Sequence, residues 1–459
     1  MNATERGRVG YLVWICLVAT LGGLLFGYDT AVIAGAIGFL KEHFNLSPAM
    51  TGWAASSALA GCVLGVAVAG SLSDRLGRRP ALLVAGLLFL VSAVGTAIPR
   101  TFATFAVYRL LGGIGVGIAS MVSPMYIAEV SPARHRGRMV SLNQFAIITG
   151  MLVVYFVNYA IARQGDHAWN VATGWRWMFG SEALPAALFT VLAFFVPESP
   201  RFLVEAGRTE AARSILTRVN GPAHAASELA AIEAVLRQPT GSLRQLLSPR
   251  LRGVLAVGVA LAILQQVTGI NVFLYYAPEI FKGLGQGVDA ALLQTIVVGA
   301  VNLLFTVVAI WTVDRLGRRP LMILGAAGMG LCLAAMGLAA QAGAVAVWVL
   351  GFVLGYIACF AVSVGPVTWV ILSEIFPTRI RGRALGLATF WLWTANFVVS
   401  QTFPMMDENA WLVRTFNHAF PFYVYAGFCA LLVWVVWRLV PETRGRTLEE
   451  IESSWIEPR

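Results

Sequence analysis

Two ionisable side chains lie inside long apolar stretches of the sequence, where a charge is costly. Asp29 follows the apolar run 22–28 in the first stretch, and Arg109 follows Tyr108 in the fourth. A charged residue at the centre of a bilayer costs about 2.5–3.5 kcal/mol on insertion scales, so the few that occur there usually have a function. Two such side chains facing each other would offset this cost, either as a protonatable carboxyl group with its partner or as a permanent structural ion pair. Glu182, near the start of the sixth stretch, is a second candidate that we expect at the membrane interface.

A group of uncharged polar side chains occupies other apolar stretches. Its members are Gln144 in the fifth stretch, Gln265, Gln266, Asn271, Tyr275 and Tyr276 in the seventh, and Asn302 in the eighth. Amide groups both donate and accept hydrogen bonds, as the hydroxyl groups of a sugar do. Trp369 and Trp393 would offer flat apolar faces to a sugar ring. Hydrogen bonds between packed helices are the alternative for any single amide.

Two sites in the sequence indicate that the helices carrying these side chains are discontinuous. On an ideal helix Gln265 and Asn271 point about 120° apart, so Gly269 between them predicts a bend or break that turns both inward. In the tenth stretch, Gly365-Pro366 interrupts the helix just before Trp369. Amides beside discontinuous helices are typical of binding sites in membrane transporters.

The composition places the chain in a membrane. Of the 459 residues, 58% are hydrophobic and only 12% are charged, and the mean hydropathy is +0.74. A spanning helix takes roughly 20 apolar residues, and twelve windows supply one, near 11–38, 51–71, 81–98, 101–122, 139–161, 177–196, 253–278, 291–313, 321–341, 345–372, 384–404 and 419–440. The windows do not alternate between apolar and polar residues as barrel strands would. The predicted fold class is therefore an all-α membrane protein with twelve transmembrane helices.

The net charge of +10 indicates topology rather than a nucleic-acid partner. If the twelve spans alternate in direction, 26 of the 33 Lys and Arg residues fall on one side, 6 on the other, and Arg109 lies within a span. Positively charged loops remain in the cytoplasm. Both termini are thus predicted to be cytoplasmic, and the lipid bilayer is the expected surrounding.

Short charged motifs recur about half a chain apart. The sequence DRLGRRP occurs at 74–80 and at 314–320, the run from Glu129 to Arg136 corresponds to that from Glu374 to Arg381, and PESPR at 197–201 returns loosely as PETR at 441–444. Offsets of 240–245 residues imply two similar six-helix halves, as in transporters built from repeats. We predict an N-terminal half at 1–199, a cytoplasmic helical linker at 200–250, a C-terminal half at 251–440 and a cytoplasmic tail at 441–459.

Three motifs in this sequence resemble those of one family. QQVTGIN at 265–271, PESPR at 197–201 and PETRG at 441–445 are similar to motifs of the sugar porter branch of the major facilitator superfamily, and the resemblance runs essentially from end to end. Within the branch the chain resembles bacterial D-xylose–proton symporters most and is also similar to animal facilitative glucose transporters. The resemblance implies the major facilitator fold and proton-coupled symport of a monosaccharide by alternating access. It further implies a multi-pass protein of the bacterial inner membrane that functions as a monomer.

The resemblance also assigns roles to individual positions. It implies that the sugar binds Gln144, Gln265, Gln266, Asn271, Asn302 and Trp369, with Phe26, Tyr275 and Trp393 lining the cavity. It implies that Asp29 carries the proton with Arg109 as its partner. A cytoplasmic charge network, which would latch the halves together or serve folding, is matched by Arg78, Glu129, Arg136, Arg318, Glu374 and Arg381. Leu392 and Met151 depart from the pattern by replacing polar residues, and this less polar pocket leaves hexose and pentose both open.

Two other functions remain open on the sequence. A facilitative sugar uniporter would keep Asp29 for structure alone, and a sugar sensor would need a signalling segment, whereas about twenty residues follow the last span. An enzyme is not expected, since no P-loop, zinc motif or nucleophile elbow occurs. The five cysteines lack metal-ligand spacing, and neither a metal nor another cofactor is expected.

Overall fold

The computed structural model describes residues 9–236, 248, 251–283, 287–344, 348–376 and 380–444. Within these ranges the chain is almost entirely helical and contains no β-strand, which confirms the predicted all-α class. Parts of the predicted linker and tail, at 237–247, 249–250 and 445–459, lie outside the described residues.

The first half of the chain forms five long helices followed by shorter pieces. They are α1 (Val9–Phe44), α2 (Pro48–Leu76), α3 (Arg78–Ala97), α4 (Phe102–Val130), α5 (Ala133–Ala162), α6 (His167–Trp169), a π-helical turn (Asn170–Gly174), α7 (Trp175–Gly180) and α8 (Ala183–Ala193). A helix satisfies all of its own backbone hydrogen bonds, and lipid offers none, so apolar stretches of this length fold as helices.

The linker begins with three short helices that share a small apolar core. These are α9 (Pro200–Glu205), α10 (Thr209–Asn220) and α11 (Pro222–Leu236), and Gly221 with φ +81° separates the last two. Leu203, Leu216 and Leu229, one from each helix, are buried against one another. The described part of the predicted linker is therefore helical.

The second half repeats the long helices with more interruptions. They are α12 (Arg252–Val267), α13 (Ile270–Tyr275), α14 (Ala277–Gly283), α15 (Val288–Leu316), α16 (Arg318–Gln341), α17 (Val349–Cys359), a π-helical turn (Phe360–Val364), α18 (Gly365–Ile375), α19 (Arg381–Asp407), α20 (Ala410–Phe416) and α21 (Phe420–Leu439).

Ten segments among the described residues are long and apolar enough to cross a membrane, judged by length and composition. The sixth predicted window, 177–196, is divided between α7 and α8, and the eleventh lies within α19, which is 27 residues long. Large apolar side chains such as Leu184, Leu331 and Trp311 are 80%, 73% and 67% exposed. Exposed apolar surface of this kind fits contact with lipid rather than water.

Small residues let α2 and α4 approach closely. A Cβ atom added to Gly61 would lie 2.9 Å from the Cα atom of Gly113, and one added to Gly65 would lie 2.9 Å from that of Gly117. These two glycine pairs, each spaced by one helical turn, are thus packing residues.

The chain divides into two compact units. The described residues of the first unit are 9–30, 60–154 and 176–236, and those of the second are 31–59, 155–175 and the chain from 248 onward. The C-terminal parts of α1 and α5 and the N-terminal part of α2, which lie away from the repeated motifs, therefore belong to the second unit. There Tyr155 Oη donates a hydrogen bond to Leu274 O (2.8 Å), and Ser56 Oγ donates one to Gln401 Oε1 (2.7 Å). The predicted halves, 1–199 and 251–440, follow the sequence repeat and stay a prediction.

A carboxylate from a distant motif caps α3. The helix begins after Gly77, whose φ of +102° favours glycine and which has no side chain to cap the helix. Glu198 Oε1 instead accepts hydrogen bonds from the backbone N–H groups of Arg78 (2.9 Å) and Arg79 (3.2 Å). A carboxylate at this position satisfies free N–H groups and complements the positive end of the helix dipole.

The helix that begins in the second copy of the motif is capped in the same way. α16 begins after Gly317, with φ +88°, and Glu442 accepts hydrogen bonds from the backbone N–H groups of Arg318 and Arg319, each at 3.1 Å. The weakest of the sequence repeats, PESPR and PETR, therefore conserves one structural element within this chain, a glutamate that caps a helix more than 100 residues earlier.

We expect Glu198→Gln and Glu442→Gln each to lower the free energy of unfolding by about 0.3–1 kcal/mol, because the neutral amide keeps the size but loses the charge–dipole attraction. The measurement is the apparent melting temperature of the purified protein in detergent. Glu205→Gln, at an exposed carboxylate on α9, is the matched control and should change little. Equal melting temperatures for all three variants would contradict the capping role.

Candidate functional site

Asp29 on α1 and Arg109 on α4 form a buried ion pair in the first unit. Arg109 Nη1 lies 2.7 Å from Asp29 Oδ1 and also donates to the backbone oxygen of Asp29 at 3.1 Å. Both side chains are only 1% exposed. Gly112, one turn after Arg109, leaves room for the pair, since a Cβ atom there would lie 3.3 Å from Asp29 Oδ1. The predicted meeting of the two side chains is confirmed.

Glu182, between α7 and α8, belongs to the same group. Its side chain is 1% exposed, so it is buried within the protein near Asp29, and the expectation that it lies at the membrane interface stays a prediction. The residues just before the two acids hold them in register, as Tyr28 Oη and Ser181 Oγ are hydrogen-bonded at 2.7 Å. Its contact with the ion pair was not predicted, because Glu182 lies far from Asp29 and Arg109 in the sequence.

The three ionisable groups do not balance in charge. With both carboxyl groups ionised and one guanidinium present, the group would carry a net negative charge away from water, which is unfavourable. A proton on either acid would make the group neutral. Asp29 Oδ2 and Glu182 Oε1 have no hydrogen-bond partner among the described residues. These two acids are therefore the candidates for carrying a proton.

The predicted amides of the second unit form a hydrogen-bonded chain. Asn271 Nδ2 donates to Gln266 Oε1 (2.5 Å), and Gln266 Nε2 donates to Gln265 Oε1 (3.2 Å). All three side chains are less than 10% exposed. An amide chain of this kind presents both donors and acceptors, which is the chemistry that hydroxyl groups require.

The predicted break at Gly269 is present and brings these amides together. α12 ends at Val267, Gly269 adopts a left-handed conformation with φ +93°, and α13 begins at Ile270. A Cβ atom at Gly269 would lie 2.7 Å from the ring of Tyr425, so a larger residue fits neither the backbone nor the space. The left-handed conformation of Gly269 turns the chain so that the side chain of Asn271 contacts that of Gln266. In a straight helix the two side chains would point in different directions.

The interruption before Trp369 is also present, as a π-helical turn. The turn Phe360–Val364 precedes α18, and Pro366 stands at the start of that helix. Gln265 Nε2 donates to the backbone oxygen of Gly365 (2.9 Å), so the amide chain ends on the irregular backbone of the tenth span. Irregular backbone at this depth is tolerated only where it is buried in protein or lines a cavity.

The other predicted binding residues differ in burial. In the second unit Asn302, Tyr275 and Trp393 are buried, whereas Trp369 is 39% exposed. In the first unit Phe26 is half-buried and Gln144 is exposed on α5. The substituted positions Leu392 and Met151 are both buried. The sugar-binding role of these residues stays a prediction.

The charge network of the first unit surrounds the cap of α3. Arg78 contacts Glu129 through two hydrogen bonds, Nε to Oε2 at 2.9 Å and Nη2 to Oε1 at 3.0 Å, and Ser199 Oγ also donates to Glu129. Arg136 Nε donates to the backbone oxygen of Ala128 (2.9 Å). Burial raises the pKa of the neighbouring Glu198, although backbone N–H donors and Arg78 act in the opposite direction.

The network of the second unit has the same plan. Arg318 Nη2 lies 3.2 Å from Glu374 Oε1, and Thr443 Oγ1 donates to Glu374 Oε2 (2.5 Å). Arg381 Nε donates to the backbone oxygen of Phe376 (3.2 Å). Thr443 thus corresponds to Ser199, a hydroxyl that the sequence repeat shows but whose contact it does not predict. In the part of the chain that the structure describes, no group of three or more His, Cys, Asp or Glu side chains could hold a metal ion.

Comparison with known proteins adds three findings. The family model described as sugar (and other) transporter matches residues 15–455. The chain is 49% identical to the D-xylose-proton symporter of Escherichia coli (strain K12), over 97% of this chain and 96% of that one, and 43% identical to the arabinose-proton symporter of Bacillus subtilis (strain 168), over 99% and 97%. Among solved structures, the inward-open conformation of the xylose transporter from E. coli matches with a TM-score of 0.86 and 46% identity, covering 97% of this chain and all of that chain.

We expect Arg109→Met to destabilise the protein by about 3–5 kcal/mol, because it leaves acidic groups buried without their cation. The double variant Asp29→Asn/Arg109→Met should be more stable than Arg109→Met, since the unpaired acid is then removed as well. The measurement is thermal unfolding of the purified protein, with Arg100→Met, at an exposed arginine, as the control. A double variant whose loss equals the sum of the two single losses would show that the side chains are not coupled.

Proposed function

This chain belongs to the sugar transporter family, and from that premise we propose that it imports a monosaccharide together with a proton by alternating access. It is a membrane protein with twelve transmembrane helices and the major facilitator fold. The observation that carries the proton-coupled part is the 2.7 Å contact between Asp29 and Arg109 in a buried place.

The proton step follows from the charges of this group. When Asp29 or Glu182 is protonated, the group is neutral and the helices that carry it can move with little electrostatic penalty. When the proton leaves, two carboxylates lie beside the one guanidinium of Arg109, and the group carries a net negative charge. Because the two protonation states favour different helix arrangements, a proton entering on one side and leaving on the other can drive the carrier through its cycle.

The sugar step is assigned to the amide chain of the second unit and to the residues that the family resemblance implies. Gln265, Gln266 and Asn271 supply alternating donors and acceptors beside two helix breaks. The two relatives described above are named for xylose and arabinose, both pentoses. The apolar Leu392 and Met151 leave hexoses among the candidates, and competition by glucose, xylose, galactose and fructose against one labelled sugar ranks them.

The membrane and its sidedness complete the proposal. The relatives are bacterial and the chain has many apolar helices, which indicates a multi-pass protein of the inner membrane. We place both termini and the repeated arginine motifs in the cytoplasm, because 26 of the 33 basic residues lie on that side. The functional unit is proposed to be a monomer that binds a sugar and a proton.

The test of symport is Asp29→Asn in proteoliposomes. We expect the variant to exchange sugar across the membrane at a rate within about tenfold of the wild type but to lose uphill accumulation, because it cannot take up the coupled proton. Sugar-driven proton uptake, read with a trapped pH dye, should be lost as well. Glu210→Gln, at a carboxylate that is 85% exposed, is the control and should keep both activities.

Retained uphill accumulation in Asp29→Asn would reject symport through this group. Absence of proton uptake by the wild type itself would favour a facilitative uniporter, in which the buried pair is structural. Binding of sugar without any exchange would favour a sensor.

We expect Glu182→Gln to remain coupled but to move the pH of half-maximal transport to more acidic values by about one unit. The remaining carboxylate and guanidinium then balance in charge without a proton, so a higher proton concentration is needed to protonate the group. The measurement is the initial rate of sugar uptake between pH 5 and 9, with the melting temperature recorded in parallel. A structural role alone would change the melting temperature and leave the pH profile in place.

A further inference from the structure

Six charged or titratable side chains form a line in the second unit, at the helix ends away from the arginine motifs. We call this line the outer charge chain, and its contacts are His167 Nε2 with Glu42 Oε2 (2.8 Å), Lys41 Nζ with Glu408 Oε1 (2.6 Å), and His418 Nδ1 with Asp407 Oδ1 (3.0 Å). Lys41 and Glu42 are neighbours near the end of α1, and Asp407 and Glu408 are neighbours at the end of α19. The three pairs are therefore linked to one another through neighbouring residues of α1 and of the end of α19.

The central pair of the outer charge chain joins the two halves of the sequence. Lys41 and Glu408 are 367 residues apart. Hydrogen bonds between uncharged groups also join α2 to α19. Gln401 Nε2 donates to the backbone oxygen of Ala49 (3.0 Å), and Ser56 Oγ donates to Gln401 Oε1. The ion pair is thus part of the contact that closes α1 and α2 onto α19.

The two histidines decide the balance of charge along this line. With neutral imidazoles, three carboxylates share one ammonium group, and the net charge is −2. With both imidazoles protonated, the net charge is zero. Since Glu42 comes from one half and Asp407 and Glu408 from the other, the uncompensated carboxylates repel each other across the contact. An imidazole ordinarily changes its charge between pH 5 and 8.

The surroundings of the outer charge chain do not cancel this effect. Among the described residues of the second unit, the other charged groups at these ends are three anions and three cations: Asp166, Glu279, Asp289, Arg163, Lys282 and Arg414. Such groups ordinarily keep their charge between pH 5 and 8. Lys282 pairs with Glu279 at 2.8 Å and Asp166 caps α6 through Trp169 N, so these groups have their own partners. A third imidazole, that of His43, packs against the rings of Phe44 and Trp175.

We propose that the outer charge chain is a proton-sensitive latch, which holds the outer helix ends together when His167 and His418 are protonated and loosens them when these residues are neutral. This inference rests on the proposed orientation, which places the chain on the periplasmic face. Acid outside would then favour closure of that face by a group distinct from the coupling site at Asp29.

The exposure of the pairs sets the size of the effect. The six side chains are between 33% and 55% exposed, and exposed ion pairs are weak and screened by salt. We therefore expect each imidazole to change the ratio of closed to open ends by about two- to fivefold. The latch biases the equilibrium and does not lock it.

The test is hydrogen–deuterium exchange of the full-length protein in lipid nanodiscs, comparing variants at the same pH. In His167→Gln/His418→Gln, peptides covering 36–44 and 400–408 should exchange about three- to tenfold faster than in the wild type at pH 5.5, and at the same rate at pH 8. High salt should reduce the difference at pH 5.5. His224→Gln, at an exposed histidine on α11, is the matched control and should behave as the wild type at both pH values.

Two further comparisons separate the latch from folding and from proton coupling. Lys41→Glu should speed exchange at these peptides, and the charge swap Lys41→Glu/Glu408→Lys should slow it again. The histidine effect should persist in an Asp29→Asn background, so failure of symport would leave it in place. Equal exchange of the double histidine variant and the wild type at pH 5.5, a difference of the same size at pH 8, or its loss in Asp29→Asn would overturn the proposal.

Discussion

The burial of charge among apolar helices is the constraint on which this structure depends. Arg109 cannot leave its place without exposing its guanidinium to lipid or leaving Asp29 and Glu182 unpaired. α1, α4 and the segment between α7 and α8 are therefore held by one group of three side chains. Because two of these are acids, one proton would make the group neutral, and under the proposed function the arrangement of the three helices would depend on that proton.

The repeated motifs solve a second problem of charge, at the ends of the helices. α3 and α16 each follow a glycine, which has no side chain to cap the helix. Each helix is capped instead by a glutamate that follows the last membrane-spanning segment of its own half of the sequence. The same motif brings Ser199 or Thr443 to the glutamate that pairs with Arg78 or Arg318. One short motif thus joins the start of one helix to the end of another, and its two copies give each unit its own network.

The sequence was sufficient to predict features that are local in the chain or that follow from the free-energy cost of burying a charge. The helices, the break at Gly269 and the pairing of Asp29 with Arg109 follow from apolar runs, from one glycine between two amides and from the scarcity of charge in the spans. The burial of Glu182 near Asp29 was not predicted, because a residue at the start of a short apolar helix can face either water or protein. The caps by Glu198 and Glu442 and the line from His167 to His418 join residues far apart in sequence, and a single sequence carries no signal for such contacts.

The amide chain has a structural role in addition to its proposed one. The amide groups of Gln265, Gln266 and Asn271 already use donors and acceptors on one another and on Gly365 O. Under the proposed function, a sugar hydroxyl that displaced one of these hydrogen bonds would gain less than the number of its new contacts suggests. The hydrogen bond to Gly365 O ties α12 to the start of α18, just after the π-helical turn. A sugar that displaced this bond would therefore loosen the tie between α12 and the tenth span.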